Sequence, residues 1–261
     1  MSDELIIREV WSHNLEQEMA IIADLINDYP YVGMDTEFPG VIAHPFGQFQ
    51  SQEAFQYTLM RINVDYLKII QIGISLGDAK GNFPSPCCCW QFNFKFNLDE
   101  DMFTTPAIDL LQQSGIDFSK FNTDGINVYE FSQLLYTSGL VMNDDVTFVT
   151  FHSSSDFGYL FKMLSCKPLP SDLKTFMNSL CVYFPHFYDL KLMANDIEQI
   201  STGGLQGLAN ELNVLRVGPQ HQAGSDALIT LKTFTALVNK FFNGNLQNKA
   251  FENKLFGLVE E

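Results

Sequence analysis

Apolar residues recur at helical spacing at Leu15, Met19, Ile22 and Ile26 behind Asn14, so 14–28 reads as an amphipathic helix with Asn14 as its N-cap. Tyr29-Pro30 stops that helix, and 31–38 reads as a strand closed by Pro39-Gly40. Further strands are predicted over 67–76 and 89–96. Helical spacing returns over 106–114 and 128–138, 146–151 reads as a buried strand, and a helix follows from it at 157–164. Beyond residue 170 the pattern is mainly helical, with helices at 171–182, at 205–212 behind Gly203-Gly204, and at 224–242. The tail 243–261 carries Leu246, Phe251, Leu255 and Phe256, enough apolar surface to pack back on the domain. This interleaving predicts one α/β domain over 1–261, a mixed central sheet flanked by helices.

Composition adds size and environment. A chain of 261 residues with 46% hydrophobic content can bury one large core. It has no apolar stretch long enough to span a bilayer, and Met-Ser-Asp-Glu-Leu at its start lacks the basic flank and apolar centre of a secretory signal. The 5 Cys, with Cys87, Cys88 and Cys89 consecutive, show no C-x-x-C pair and read as reduced structural thiols. These features predict a soluble protein of the cytoplasm and nucleus with no membrane partner. A net charge of −16 argues against holding nucleic acid by broad phosphate neutralisation, so any such grip must come from bound cations or other subunits.

Within this acidic chain a few carboxylates stand apart. Asp35 and Glu37, two apart on a predicted strand, share one face, while Val32, Met34 and Thr36 take the other. The same spacing in Glu16-Gln-Glu18, Asp99-Glu-Asp101 and Asp196-Ile-Glu198 reads as solvated charge. Asp35 and Glu37 differ because an unpaired carboxylate is costly in so apolar a strand. Asp156 follows Ser153-Ser154-Ser155 at a helix start, where capping alone would explain it. Asp226 falls in the first turns of the last helix, where the dipole alone favours an acid. His221 precedes it by five residues, and an imidazole there is either a surface group or a base working near neutral pH. His13, His44, His152 and His186 have no zinc spacing, and His152 is at most an outer support of the acids. If the four acids converge, they form an all-oxygen site for two Mg²⁺ or Mn²⁺ ions, suited to in-line phosphoryl displacement.

Several longer motifs occur in order: Glu9-Val-Trp11, Asp35-Thr-Glu37-Phe-Pro-Gly40, Asn63-Val-Asp65, Ile69-Ile-Gln71, Trp90-Gln-Phe-Asn-Phe-Lys-Phe-Asn97, Phe151-His-Ser-x-x-Asp156-Phe-Gly-Tyr159, Tyr188-Asp-x-Lys191, Gly203-Gly-Leu-Gln206 and Gly218-Pro-Gln-His221-Gln-Ala-Gly-Ser-Asp226. Together they resemble the DEDD-type poly(A) deadenylases that serve as nuclease subunits of the CCR-NOT complex, over nearly the whole chain. The resemblance implies a ribonuclease H-like exonuclease fold and 3′-to-5′ removal of AMP from poly(A) tails. It implies that Asp35, Glu37 and Asp226 hold one divalent ion, that Asp35 and Asp156 hold the other, and that His221 is the general base. Phe38 and Leu205 become candidate substrate contacts, Phe38 by stacking on a base. Implied partners are poly(A) RNA, a CCR-NOT scaffold subunit, a second deadenylase subunit and Tob-type antiproliferative regulators. Two departures affect substrate grip: Ser154-Ser155 stand where Gly-Tyr is usual, and His44 where Arg is common. Two competing readings are a non-catalytic adaptor of the same complex and a general 3′ exonuclease.

Overall fold

The computed structural model describes residues 6–200, 203–246 and 249–259. Its strands are β1 (Ile6–Val10), β2 (Tyr31–Glu37), β3 (Gln71–Gly77), β4 (Cys87–Asn93), β5 (Thr147–Thr150) and β6 (His186–Asp189). Its helices are α1 (Leu15–Leu25), α2 (Gln52–Tyr66), α3 (Thr105–Gln113), α4 (Phe118–Asp124), α5 (Val128–Thr137), α6 (Ser154–Ser165), α7 (Leu173–Tyr183), α8 (Leu190–Asn195), α9 (Leu205–Glu211) and α10 (Ala223–Phe241), followed by a 3₁₀ turn at Lys249–Phe251. The strands form one six-stranded sheet in the order β1-β4-β3-β2-β5-β6. It is mixed: β3 runs antiparallel to both neighbours, whereas β1–β4, β2–β5 and β5–β6 are parallel. Among the described residues no helix is long and apolar enough to cross a membrane.

The sheet has two unlike faces because its strands alternate. Val32 and Met34 lie beside Leu76 and Ile74, and Ile74 and Ile72 beside Trp90 and Phe92, forming an apolar face. The main core packs on it from α1, α2, α5, α6 and α7 through Met19, Tyr57, Phe131, Phe157 and Phe176. The opposite face carries Gly33, Asp35, Glu37, Gln71, Gly73, Gln91 and Asn93, and α10 crosses it. Small residues permit that crossing. A Cβ on Gly33 would meet the Ala227 carbonyl at 2.5 Å and Leu231 Cβ at 2.7 Å, and one on Gly73 would overlap the Ala223 carbonyl. A smaller cluster of α3 and α4 residues packs around Trp11 and Phe96.

Several expectations shift. The strand expected from residue 67 begins only at Gln71, because 67–70 lead out of α2: Leu67 N–H still bonds to Asn63, and Lys162 Nζ takes the carbonyls of Val64, Asp65 and Leu67. Asn14 stands at the N-cap position of α1, but its side chain accepts from Trp11 N–H at 2.8 Å and caps no helical N–H. The periodicity along the chain predicts none of α2, β1, β6, α4 and α8. The tail does pack back over its described part. Asn253 exchanges two hydrogen bonds with Phe187 on edge strand β6, and Phe251, Leu255 and Leu258 are buried.

Candidate active site

Strand β2 ends with Asp35 and Glu37 on the α10 face, paired across β3 with Gly73 and Gln71. Because Gly73 has no side chain, the start of α10 rests on β3, and Asp226 in its first turn comes down beside the two acids. Asp156 arrives from the opposite layer. It lies in the first turn of α6, where its carboxylate meets its own backbone N–H, and it also reaches the sheet to accept the Thr36 hydroxyl at 2.8 Å, so capping alone does not account for Asp156. Thr36 thus faces the apolar layer as expected, yet it bridges to the site.

The turn ahead of α6 is fixed by Asp189. That buried carboxylate accepts the N–H groups of His152 (2.8 Å), Ser153 (3.3 Å), Lys191 (3.0 Å) and Phe256 (3.1 Å). Such bonding lets His152 take a left-handed conformation (φ 57°), with its ring edge-on to Phe256 at 5.0 Å. His221 is likewise left-handed (φ 60°). Its N–H donates to Asp226 at 2.9 Å, and its carbonyl accepts from Ser114 at 2.8 Å. Ligand atoms of Glu37, His221 and Asp226 all lie within 4.8 Å of one another.

The electrostatics report crowding of like charges. Burial first, then Asp156, Asp226 and Glu37, raise the Asp35 carboxyl well above its ordinary range, against some help from Arg216. Burial, Asp226 and Asp156 push Glu37 up to about 8. Burial raises Asp156 to about 6 despite the Thr36 hydrogen bond, with Asp189 adding to the rise. Among the described residues the cation paired with the cluster is Arg216, 2.7 Å from Asp226 and held by Gln206 (2.6 Å) and Ser225 (2.9 Å). Four clustered carboxylates, whose negative charge raises Asp35 and Glu37 and whose donors are all hard oxygens, fit divalent cations of the Mg²⁺ or Mn²⁺ kind.

Beside Asp156 lies a cavity of about 260 Å³, lined by Phe38, Gln56, Asn63, His152, Ser154, Ser155 and Tyr159 among others. Phe38 therefore faces it, its ring 5.5 Å from that of Tyr159. The Tyr159 hydroxyl is buried and has no hydrogen-bond partner among the described residues. Leu205, the first residue of α9, is not among the residues lining this cavity, and the departures Ser154 and Ser155 are. His44 is exposed on the loop after β2. A larger cleft of about 530 Å³, with Lys68, Lys95 and Lys162, shares Tyr159 but contains none of the four clustered acids. Thr36, Asp189 and Arg216 were absent from the candidate residues. Thr36 and Asp189 carry a signal, inside Asp35-Thr-Glu37 and Tyr188-Asp-x-Lys191, and Arg216 carries none.

The model of the CAF1 family ribonucleases matches residues 10–134 and 137–234. The chain is 49% identical over 252 residues to the poly(A) ribonuclease pop2 of Schizosaccharomyces pombe, covering 97% of this chain and 75% of that protein. It superposes on the structure of S. pombe Pop2p in its Mg²⁺- and Mn²⁺-bound form with a TM-score of 0.94 at 49% identity, covering 97% of this chain and 99% of the other. On yeast CAF1 co-crystallised with the NOT1 MIF4G domain the TM-score is 0.82 at 35% identity, with 98% of each chain covered. The ribonuclease H-like exonuclease fold expected from the motifs is the one observed.

Proposed function

Since this chain belongs to the CAF1 family ribonucleases, we propose that it is a poly(A)-specific exoribonuclease that shortens mRNA tails from the 3′ end, releasing AMP. The observation that carries the reading is convergence: Asp35 and Glu37, Asp156, and Asp226 with His221 come from three distant stretches of chain to one cluster. In this reading Asp35, Glu37 and Asp226 hold one divalent cation, and Asp35 and Asp156 the other. Once bound, two such ions supply positive charge for the oxygens of an in-line displacement at phosphorus.

The chain's own residues do the rest. His221, at the mouth beside Glu37 and Asp226, is the group that takes the proton from the attacking water. Arg216 and the His221 N–H fix both oxygens of Asp226, while Thr36 fixes Asp156. Phe38 and the cavity beside Asp156 take the terminal nucleotide, whose base a phenyl ring can stack at roughly 1–3 kcal/mol. Leu205 serves as a more remote substrate contact. The likeness to a CAF1 chain crystallised with NOT1 supports docking on a CCR-NOT scaffold. A second deadenylase subunit, Tob-type regulators and work in both cytoplasm and nucleus belong to the same reading. The scaffold also answers the charge problem, because a chain at −16 gains RNA grip from its neighbours.

The test is a 5′-labelled RNA ending in oligo(A), incubated with purified protein and Mg²⁺ or Mn²⁺, beside Asp35→Ala protein and a mixed-sequence tail. Stepwise shortening that stalls at the first non-A residue and vanishes in the variant is expected. Equal degradation of both tails would make the protein a general exonuclease, and no shortening with either metal would leave the adaptor role.

A further inference from the structure

The N-terminus of α10 is capped from the sheet and not by its own N-cap residue. Gln222, at the N-cap position, makes no capping bond with its side chain. Instead Gln71 Oε1 accepts Ala223 N–H at 3.2 Å, and Gln91 Oε1 accepts Gly224 N–H at 2.9 Å. A helix start leaves such N–H groups without intrahelical partners, so side-chain acceptors there decide where the first turn sits. Asp226 is in that turn.

What makes both amides present oxygen, not nitrogen, can be followed across the sheet. Strand register puts Glu9, Gln91, Gly73 and Asp35 in one row, and Asn93, Gln71 and Glu37 in the next. The Glu9 carboxylate accepts Gln91 Nε2 at 2.9 Å and Asn93 Nδ2 at 2.7 Å. An ionised carboxylate only accepts, so it turns the nitrogen of each amide toward β1. The Gln91 oxygen must then face Gly224. The Asn93 oxygen faces Gln71, accepting Nε2 at 2.8 Å, and this turns the Gln71 oxygen toward Ala223. Asn93 Nδ2 also meets the carbonyls of Val10 and Gln91, so only one orientation satisfies it. Gln71, Gln91 and Asn93 are buried, whereas Glu9 keeps contact with solvent.

We propose that Glu9 is a positioning residue for the nuclease site: through Gln91, and through Asn93 and Gln71, it orients two buried amide oxygens that seat the first turn of α10 and so hold Asp226 against Glu37. The relay begins on the edge strand β1 and ends at Gln71, the cross-strand neighbour of Glu37. It rests on the nuclease reading for its purpose, though not for its geometry.

Glu9→Gln tests direction without changing size. An amide at residue 9 offers one acceptor and one donor and cannot accept from both nitrogens; Asn93 is held by two backbone carbonyls, whereas Gln91 Nε2 has besides residue 9 only Gln222 Oε1 at 3.1 Å, so Gln91 is the amide expected to reverse. Calorimetric Mn²⁺ titration of the full chain should show affinity reduced about tenfold or more, the scale on which outer supports of metal ligands act. The kcat on oligo(A) should fall with KM unchanged. Gln91→Glu added to Glu9→Gln returns a carboxylate that accepts both Gly224 N–H and the new amide at residue 9, and should restore Mn²⁺ affinity to within about threefold of wild type. Gln91→Glu alone sets two carboxylates together and should be the weakest binder.

A Glu9→Gln protein that binds Mn²⁺ like wild type would overturn the proposal, as would a folded exchange variant that recovers nothing. Should Glu9→Gln fail to fold, Gln71→Met, which removes the Ala223 acceptor together with the Asn93 partner and so cuts that arm of the relay, decides in the same assay: wild-type affinity there overturns it. A wild-type chain that binds Mn²⁺ with this variant pattern yet never shortens oligo(A) would sink the nuclease reading and leave the positioning role standing.

Discussion

Replacing Gly73 with alanine isolates the close approach on which the site depends. The new Cβ would overlap the Ala223 carbonyl and lie 2.7 Å from Gly224 N, both backbone atoms that no rotamer change can move. Non-bonded Cβ contacts essentially stop at 3.0 Å, so α10 must retreat by more than about 1 Å at its start. Overpacking of this kind costs about 1–3 kcal/mol, a loss that leaves a domain of ordinary stability folded. Displacing Asp226 by about 1 Å is graver for chemistry, where such a misplacement costs about 100-fold in rate. The assay is single-turnover shortening of 5′-labelled oligo(A) at saturating Mn²⁺, beside denaturant unfolding of the same preparation. The control is Gly207→Ala in α9, whose Cβ would meet nothing within 4 Å. A folded Gly73→Ala protein cleaving within about threefold of wild type would refute the claim that this contact sets the position of Asp226.

Two more outcomes are expected. Glu37 holds its proton to about pH 8 in the folded, metal-free chain but releases it near 4.5 when unfolded, so its contribution to stability falls as pH rises through that window. The Tm of chelator-treated wild type should therefore drop more steeply from about pH 6 to pH 8 than that of Glu37→Gln, equal slopes would contradict the shift, and Mn²⁺ should stabilise wild type most at the upper end. His221→Ala should slow the chemical step by about 10²–10⁴ with Mn²⁺ affinity retained, as read by single-turnover rates and calorimetry; an unchanged rate removes the general-base role, and a large loss of Mn²⁺ affinity would make His221 a ligand.

The legible parts of the fold are those with a strong local period. β2, α6 and α10 carry continuous apolar spacing, and each was found to within a few residues. α2 was not legible because its buried stripe of Tyr57, Met60 and Val64 includes a polar residue, Asn63, whose amide bonds to the loop at Ile42 and Ala43. β1 and β6 have 5 and 4 residues, too few for alternation to register, and lack the apolar run that made β5, also of 4 residues, legible. At the site, Asp35 and Glu37 stood out because carboxylates are costly in an apolar strand, whereas Asp156 and Asp226 looked like ordinary helix-start acids and gained meaning only from the motif set. Thr36 and Gln71 stand inside motifs, but nothing in the sequence tells what they do: their partners lie 120 and 152 residues away, and only the folded sheet makes them neighbours.

The docking of the tail on β6 has a consequence for the order in which the protein matures. Asp189 needs Phe256 N–H, 67 residues further along, to complete its set of backbone donors, and the His152-Ser153 turn before Asp156 hangs on the same carboxylate. On a ribosome, where chains fold from the N-terminal end as they emerge, Asp35, Glu37 and Asp156 appear long before α10 and Phe256. A nascent chain thus displays three of its four acids while two of the clamps that fix them are still unmade. The sheet can assemble early, and the capacity to cut RNA ripens last.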